Sequence, residues 1–350
     1  MGNGSTLATI DVLAAIWQRV LRRPMIDVEE NFFDVGGDPS SAVQLFGEIA
    51  TVCGRELPAL TIYQAPTMTA LAALMAQPAP PPFPILVPLK PGASGPAIFV
   101  THGLGGSVME LFHLVKAIQS DHSIYGLQFI GVSQDKQPLT RVEDIARQYL
   151  TAMKELQPRG PYVLIGYSFG GLVMFEVAQQ LRENGERVAL LGMLETYPHN
   201  NWLPLTQRLA LFAERAKRHA GILLQLSTRK KIAYLTSHGE RVRASWNQGG
   251  QSEPQETGLS YGPARKRLTR AGVQALMKYR PRFYAGKVNF VKAEQVSSAF
   301  PDDPRRIWQK LTAEFEMDRV SGDHFSMVTT EFRDLASVLS RRLAAAFSEE

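Results

Sequence analysis

The chain has 350 residues, 45% of them hydrophobic and 20% charged, which excludes a disordered or fibrous protein. No run of about 18 apolar residues occurs, so no transmembrane helix is expected, and residues 1–8 have neither the basic start nor the apolar core of a signal peptide. The single cysteine, Cys53, rules out a disulfide framework or a cysteine-based zinc site and suits a reducing cytoplasm.

The net charge of +5 is unevenly spread. Residues 1–76 carry four arginines against eight acids, a net of −4, while residues 201–287 carry 17 Lys/Arg against four Glu, a net of +13. The first segment is helical by pattern. Leu7, Ile10, Leu13, Ile16/Trp17 and Val20/Leu21 repeat at helical spacing. A loop containing FFDVGGD follows, then a second helix through Val43, Leu45, Phe46 and Ile49, and a last one near Leu71, Leu74 and Met75. Residues 1–76 thus predict a small all-α bundle of up to four helices. Seven prolines between Pro78 and Pro91 then read as an extended linker over 77–92, because proline fixes φ and lacks an amide donor.

From residue 93 to 350 short apolar runs alternate with amphipathic helices. The runs are 97–103, 124–129, 162–168, 188–195, 287–294 and 315–322, with helices expected at 107–119, 140–156, 170–185, 304–313 and 329–347. Such alternation predicts an α/β fold with a parallel sheet covered on both faces. Residues of about 200–280 break it with a helical, basic insertion of the kind that forms a lid.

The strand YVLIGY runs directly into Gly166-Tyr167-Ser168-Phe169-Gly170 and then into a helix. This is G-x-S-x-G in the strand–turn–helix setting of a nucleophile elbow, which exposes the Ser168 hydroxyl at the carboxyl end of the sheet. A serine needs a base. Of seven histidines, His324 lies in a glycine-containing loop directly after the last strand, where an imidazole can swing over the sheet end. The acid that orients it is open between Glu195 and Glu294, each at the end of a strand. Two amides are needed for an oxyanion hole: Phe169, after the nucleophile, and Leu104, in the glycine-rich loop His102–Gly106.

THGLGG, GYSFGG, MLETYP and GDHFSM, in that order, resemble the thioesterase domains that end nonribosomal peptide and polyketide synthases. The resemblance covers about residues 85–350 and is weakest over 200–275. It implies an α/β-hydrolase fold with a helical lid insertion. In that family the acid follows the strand after the elbow, usually as Asp; here Glu195 matches, which favours it over Glu294. NFFDVGGDPSSAVQLF resembles a peptidyl or acyl carrier domain, which holds phosphopantetheine on a serine at the start of its second helix. The matching position is Pro39. Asp38 and Pro39 suit a helix start, but proline has no hydroxyl, so Ser40 is the next candidate for attachment; otherwise the carrier is a scaffold that docks partners without holding substrate.

The expectation is therefore a carrier domain over 1–76, a linker over 77–92, and a thioesterase domain over 93–350 acting through an acyl-Ser168 intermediate. No metal is implied, and phosphopantetheine would be the prosthetic group of a competent carrier. With a carrier at Met1, acyl loading is expected in trans, from synthase or carrier modules. The basic insertion reads as a solvated lid face or as a docking patch for an acidic carrier or a pantetheine phosphate. It has no base-reading motif, so no nucleic-acid partner is expected, nor a membrane. Two alternatives are a general esterase or acyltransferase acting on free or CoA esters, and a non-catalytic docking protein.

Overall fold

A computed structural model describes residues 3–348 apart from 79–83, 94, 129–136, 296–299 and most of 204–262. Four helices open the chain: α1 (Asn3–Leu21), α2 (Pro39–Cys53), α3 (Thr61–Gln64) and α4 (Met68–Met75). Helical spacing puts Leu13, Ile16, Trp17 and Val20 of α1 and Ala42, Leu45, Phe46 and Ile49 of α2 into one buried cluster. Trp17 meets Phe32 edge to face, ring centroids 5.1 Å apart. The start of α2 is a reciprocal cap. The Asp38 carboxylate accepts from the Ser41 amide at 2.7 Å, Ser41 Oγ accepts from the Asp38 amide at 2.8 Å, and Pro39 sits in the first turn, where no amide is missed.

Among the described residues seven strands follow: β1 (Leu86–Lys90), β2 (Ile98–Thr101), β3 (Ile124–Leu127), β4 (Tyr162–Tyr167), β5 (Val188–Leu194), β6 (Tyr284–Ala293) and β7 (Thr312–Val320). They form one sheet in the order β1-β3-β2-β4-β5-β6-β7, with β1 antiparallel and all other pairs parallel. β1 departs from the expected linker. It lies inside the proline-rich stretch, with Val87 buried and Pro88 opposite Tyr125. Proline is tolerated there because β1 is an edge strand, with ladder bonds on one side only.

Among the described residues, the helices between and after the strands are α5 (Phe112–Ala117), α6 (Val142–Leu156), α7 (Phe169–Glu183), α8 (Pro263–Lys278), α9 (Arg305–Trp308), α10 (Ser326–Thr329) and α11 (Phe332–Ser348). Alternating side chains of β4 serve both faces of the sheet. Tyr162 and Leu164 pack with α6 and α7, while Val163, Ile165 and Tyr167 pack with α5 and α11. The helix expected over 304–313 is only one turn, because Thr312 already pairs with Tyr284 and draws the chain into β7. Of the insertion, α8 packs Leu268, Ala275 and Leu276 onto the α6–α7 face. Lys217, Lys266 and Arg267 are exposed, whereas Arg218 and residues 229–231 lie outside the described residues.

Candidate active site

The site grows from the end of β4, a central strand. Ser168 takes φ 53°, ψ −119° between β4 and α7, a conformation that costs a non-glycine residue roughly 1–3 kcal/mol unless its surroundings impose it. Close packing imposes it here. A Cβ on Gly166 would come within 2.5 Å of the Gly171 backbone, and one on Gly170 within 2.1 Å of the His102 carbonyl oxygen. Only glycines let the strand, the helix and the β2 loop meet at this distance. The Ser168 amide donates to Leu194 O at 2.8 Å, which ties the elbow to β5.

Three of the sequence-derived site residues converge. His324 Nε2 stands 3.1 Å from Ser168 Oγ. Its Nδ1 faces Glu195 Oε2 at 3.6 Å, an ion-pair distance rather than a hydrogen bond, with both side chains buried. Glu195 itself has φ 44°, and its other oxygen, Oε1, accepts from the Ala293 amide at 3.0 Å. That bond fixes the carboxylate on the next strand and leaves Oε2 for the imidazole. Glu294, the other acid considered, is exposed at the end of β6 and is not brought into this group.

Further residues hold the imidazole. Tyr167 donates its hydroxyl to the His324 carbonyl at 2.7 Å, and Phe300 lies 4.5 Å from the ring. Burial first, then the nearby carboxylates, raise the Tyr167 phenol well above its ordinary range, so it remains a donor. Asp323 Oδ1 accepts from the Phe325 and Ser326 amides, each at 2.8 Å. These bonds, with Ser326 contributing most, hold its carboxyl below the usual range. Tyr167 and Asp323 were not singled out by the sequence. No spacing rule marks them, because their role lies in contacts made by a turn and by a strand 157 residues away.

The second loop of the site follows β2. His102 is fully buried. Its Nδ1–H points to the Gly103 carbonyl and its Nε2 accepts from Tyr149 Oη at 3.0 Å. Burial depresses its pKa to about 4, so the ring is neutral near pH 7. The Gly103 amide donates to Glu110 Oε1 at 2.5 Å, and the Gly106 amide returns to Gly103 O at 3.3 Å, closing a turn. The next amide, that of Leu104, takes part in none of these bonds. Phe169 lies at the first position of α7, directly after the nucleophile.

The family model for the thioesterase domain matches residues 96–343. The chain belongs to the thioesterase domain family. By that membership it is a hydrolase with the α/β-hydrolase type of fold, as the parallel sheet and elbow require. A dimodular nonribosomal peptide synthase of Bacillus subtilis is 35% identical over 210 residues, 59% of this chain and 9% of the relative. An indigoidine synthase of Dickeya dadantii is 37% identical over 180 residues, 51% of this chain and 12% of the relative. The chain thus spans about a tenth of the length of these curated relatives. Among solved structures, a holo four-domain nonribosomal peptide synthetase superposes with TM-score 0.56 at 20% identity, covering 95% of this chain and 26% of the other. The NocB thioesterase domain superposes with TM-score 0.50 at 21% identity, covering 72% and 96%. Both show likeness of fold.

A second family model, for the phosphopantetheine attachment site, matches residues 11–75, so this thioesterase is preceded by a carrier unit. Pro39, which the family resemblance matches to the attachment serine, offers no hydroxyl. Ser41 spends its hydroxyl on the Asp38 cap, donating to Oδ1 at 2.8 Å while accepting from the Asp38 amide. Ser40 is exposed. The residues of this helix start fit the prosthetic group only through Ser40.

Proposed function

We propose that the protein releases an acyl or peptidyl chain from a pantetheine thioester through an ester on Ser168, in the assembly of a nonribosomal peptide or related product. The observation that carries this reading is the line from buried Glu195 through buried His324 to half-buried Ser168 at the end of β4, in a chain of the thioesterase family. His324 Nε2 takes the Ser168 proton as Oγ attacks the thioester carbonyl. Glu195, fixed by the Ala293 amide, holds the imidazole tautomer and stabilises the imidazolium. The carbonyl oxygen becomes an oxyanion stabilised by the Phe169 and Leu104 amides. The C–S bond then breaks and the thiol leaves with the proton from His324. In the second half His324 deprotonates a water, or a nucleophile within the chain, which attacks the acyl-Ser168 ester; an acid or a ring leaves and Ser168 regains its proton. Thiolates leave readily, so the enzyme mainly supplies position and oxyanion stabilisation.

The same reading makes Ser40 the residue that would hold phosphopantetheine through a phosphodiester, and the group would supply a thiol for the acyl chain. Acyl chains would otherwise arrive on synthase or carrier modules in trans. The test is single-turnover mass spectrometry with an acyl-pantetheine thioester. The wild type is expected to show an acyl mass on the peptide containing Ser168 and steady thiol release. Ser168→Ala should lose both while remaining folded. Full hydrolysis by Ser168→Ala would sink the reading, and faster turnover of simple esters than of pantetheine thioesters would move it to a general esterase.

A further inference from the structure

The carrier unit and the oxyanion loop meet at one short stretch of chain. The 3-10 turn Val108–Leu111 follows the loop His102–Gly106 directly. Met109, on that turn, is 2% exposed, and its side chain belongs to the hydrophobic cluster of the carrier unit with Trp17, Phe32 and Leu45. The neighbouring residue, Glu110, holds the Gly103 amide at 2.5 Å. The contact continues into α5. Phe33, on the carrier loop before α2, packs on Phe112 with centroids 5.0 Å apart, and Lys116 Nζ donates to the Phe33 carbonyl at 3.5 Å.

We propose that the carrier unit sets the oxyanion hole: its core grips Met109, which fixes Glu110, which in turn fastens the Gly103 peptide so that the Leu104 amide faces the reacting carbonyl. The proposal rests on the thioesterase reading above and makes Glu110 a positioning residue. The Gly103 carbonyl and the Leu104 N–H belong to one trans peptide and point to opposite sides of it. With Gly103 N–H held by Glu110, and Gly103 O by the Gly106 amide and His102, that peptide is fixed on both sides and the direction of its Leu104 N–H is set. A glycine pair in this loop has no intrinsic preference for that arrangement, so an external tether is required. The tether is anchored in the carrier, and this gives the carrier a role that does not depend on a hydroxyl at position 39.

The test uses the full chain. Glu110→Gln, Glu110→Ala, Met109→Ala and the pair Phe33→Ala/Lys116→Ala are compared with the wild type in hydrolysis of an acyl-pantetheine thioester. A second readout is the rate of Ser168 labelling by a fluorophosphonate, whose phosphoryl oxygen also needs the hole. Removing one oxyanion donor costs on the order of 10²–10³ in kcat; loosening it should cost about 10-fold or more in kcat and in labelling rate, with KM within about 2-fold. Met109→Leu, which keeps the apolar grip, should restore most of the loss. Adding Phe33→Ala/Lys116→Ala to Glu110→Ala should change nothing more, because both act through one tether. Undiminished kcat in Glu110→Ala or in the carrier-face pair, or additive losses in the combination, would overturn the proposal. A wild type that neither hydrolyses the thioester nor takes the label would instead overturn the thioesterase reading, so the two failures are distinct.

Discussion

Glu195 is one methylene longer than the Asp that the family resemblance implies at this place, and the surroundings explain how the longer side chain is accommodated. The backbone at φ 44° turns the residue over the end of β5. One oxygen is then spent on the Ala293 amide, and the extra methylene carries the other to 3.6 Å from His324 Nδ1. Glu195→Gln keeps this shape but removes the charge that stabilises the imidazolium, so kcat should fall by about 10³-fold or more with KM nearly unchanged. Glu195→Asp keeps the charge but cannot reach both Ala293 and His324. A smaller loss, roughly 10-fold, is expected. Steady-state kinetics on the two variants check this, and activity retained in Glu195→Gln would move the acid elsewhere. Ser168 and His324 were legible because each has a local signature, a strand–glycine–helix turn and a loop after the last strand. Glu195 was not separable from Glu294 by local pattern. What distinguishes them is burial against His324, a property of the assembled sheet.

At the scale of elements, the loop after β2 is held by a buried neutral imidazole. His102 has its pKa lowered to about 4 by burial, against about 6.5 when unfolded. Between these values the unfolded chain binds a proton that the folded chain does not, so folding stability rises with pH across the window and is lost as pH falls from about 6.5 toward 4. A depression of this size corresponds to on the order of 3 kcal/mol. Urea unfolding followed from pH 7 to 4.5 should show this slope in the wild type and a shallower one in His102→Gln; equal slopes would mean that the group is not the buried base of the loop. The parallel strands and their helices were readable from apolar alternation because both faces of the sheet are covered. β1 was not, since an edge strand tolerates proline and so resembles a linker. The Glu110 and Tyr167 contacts carry no periodicity at all. They join elements only after the sheet has formed.

For the molecule as a whole, the question is whether the carrier unit carries. Its helical core is complete, its second helix is well capped, and its face is seated on the turn that leads to the oxyanion loop. Pro39, where the resemblance puts the attachment serine, has no hydroxyl. An α-helix turns by about 100° per residue, so Ser40 presents its hydroxyl to a modifying enzyme from a rotated direction, while Ser41 is bound into the cap. Incubation with coenzyme A and a broad-specificity phosphopantetheinyl transferase, followed by peptide-level mass analysis, separates the cases. The wild type is expected to gain the adduct slowly, on Ser40, and Ser40→Ala to lose it. Pro39→Ser should gain it at residue 39 at a rate at least about 10-fold higher. Its helix should not weaken much, since serine retains the Asp38 cap and proline contributes mainly by restricting the unfolded chain. Failure of Pro39→Ser to load would mean that the missing hydroxyl is not what limits the carrier. Loading of Pro39→Ser alone, with none on the wild type, would mean that Ser40 is out of reach and that this thioesterase takes its acyl chains from another carrier. The basic balance of residues 201–287 gives an acidic carrier a complementary charge to approach. In that case thioester turnover with a separately loaded acidic carrier should slow as salt is raised, while turnover of the free acyl-pantetheine thioester should not.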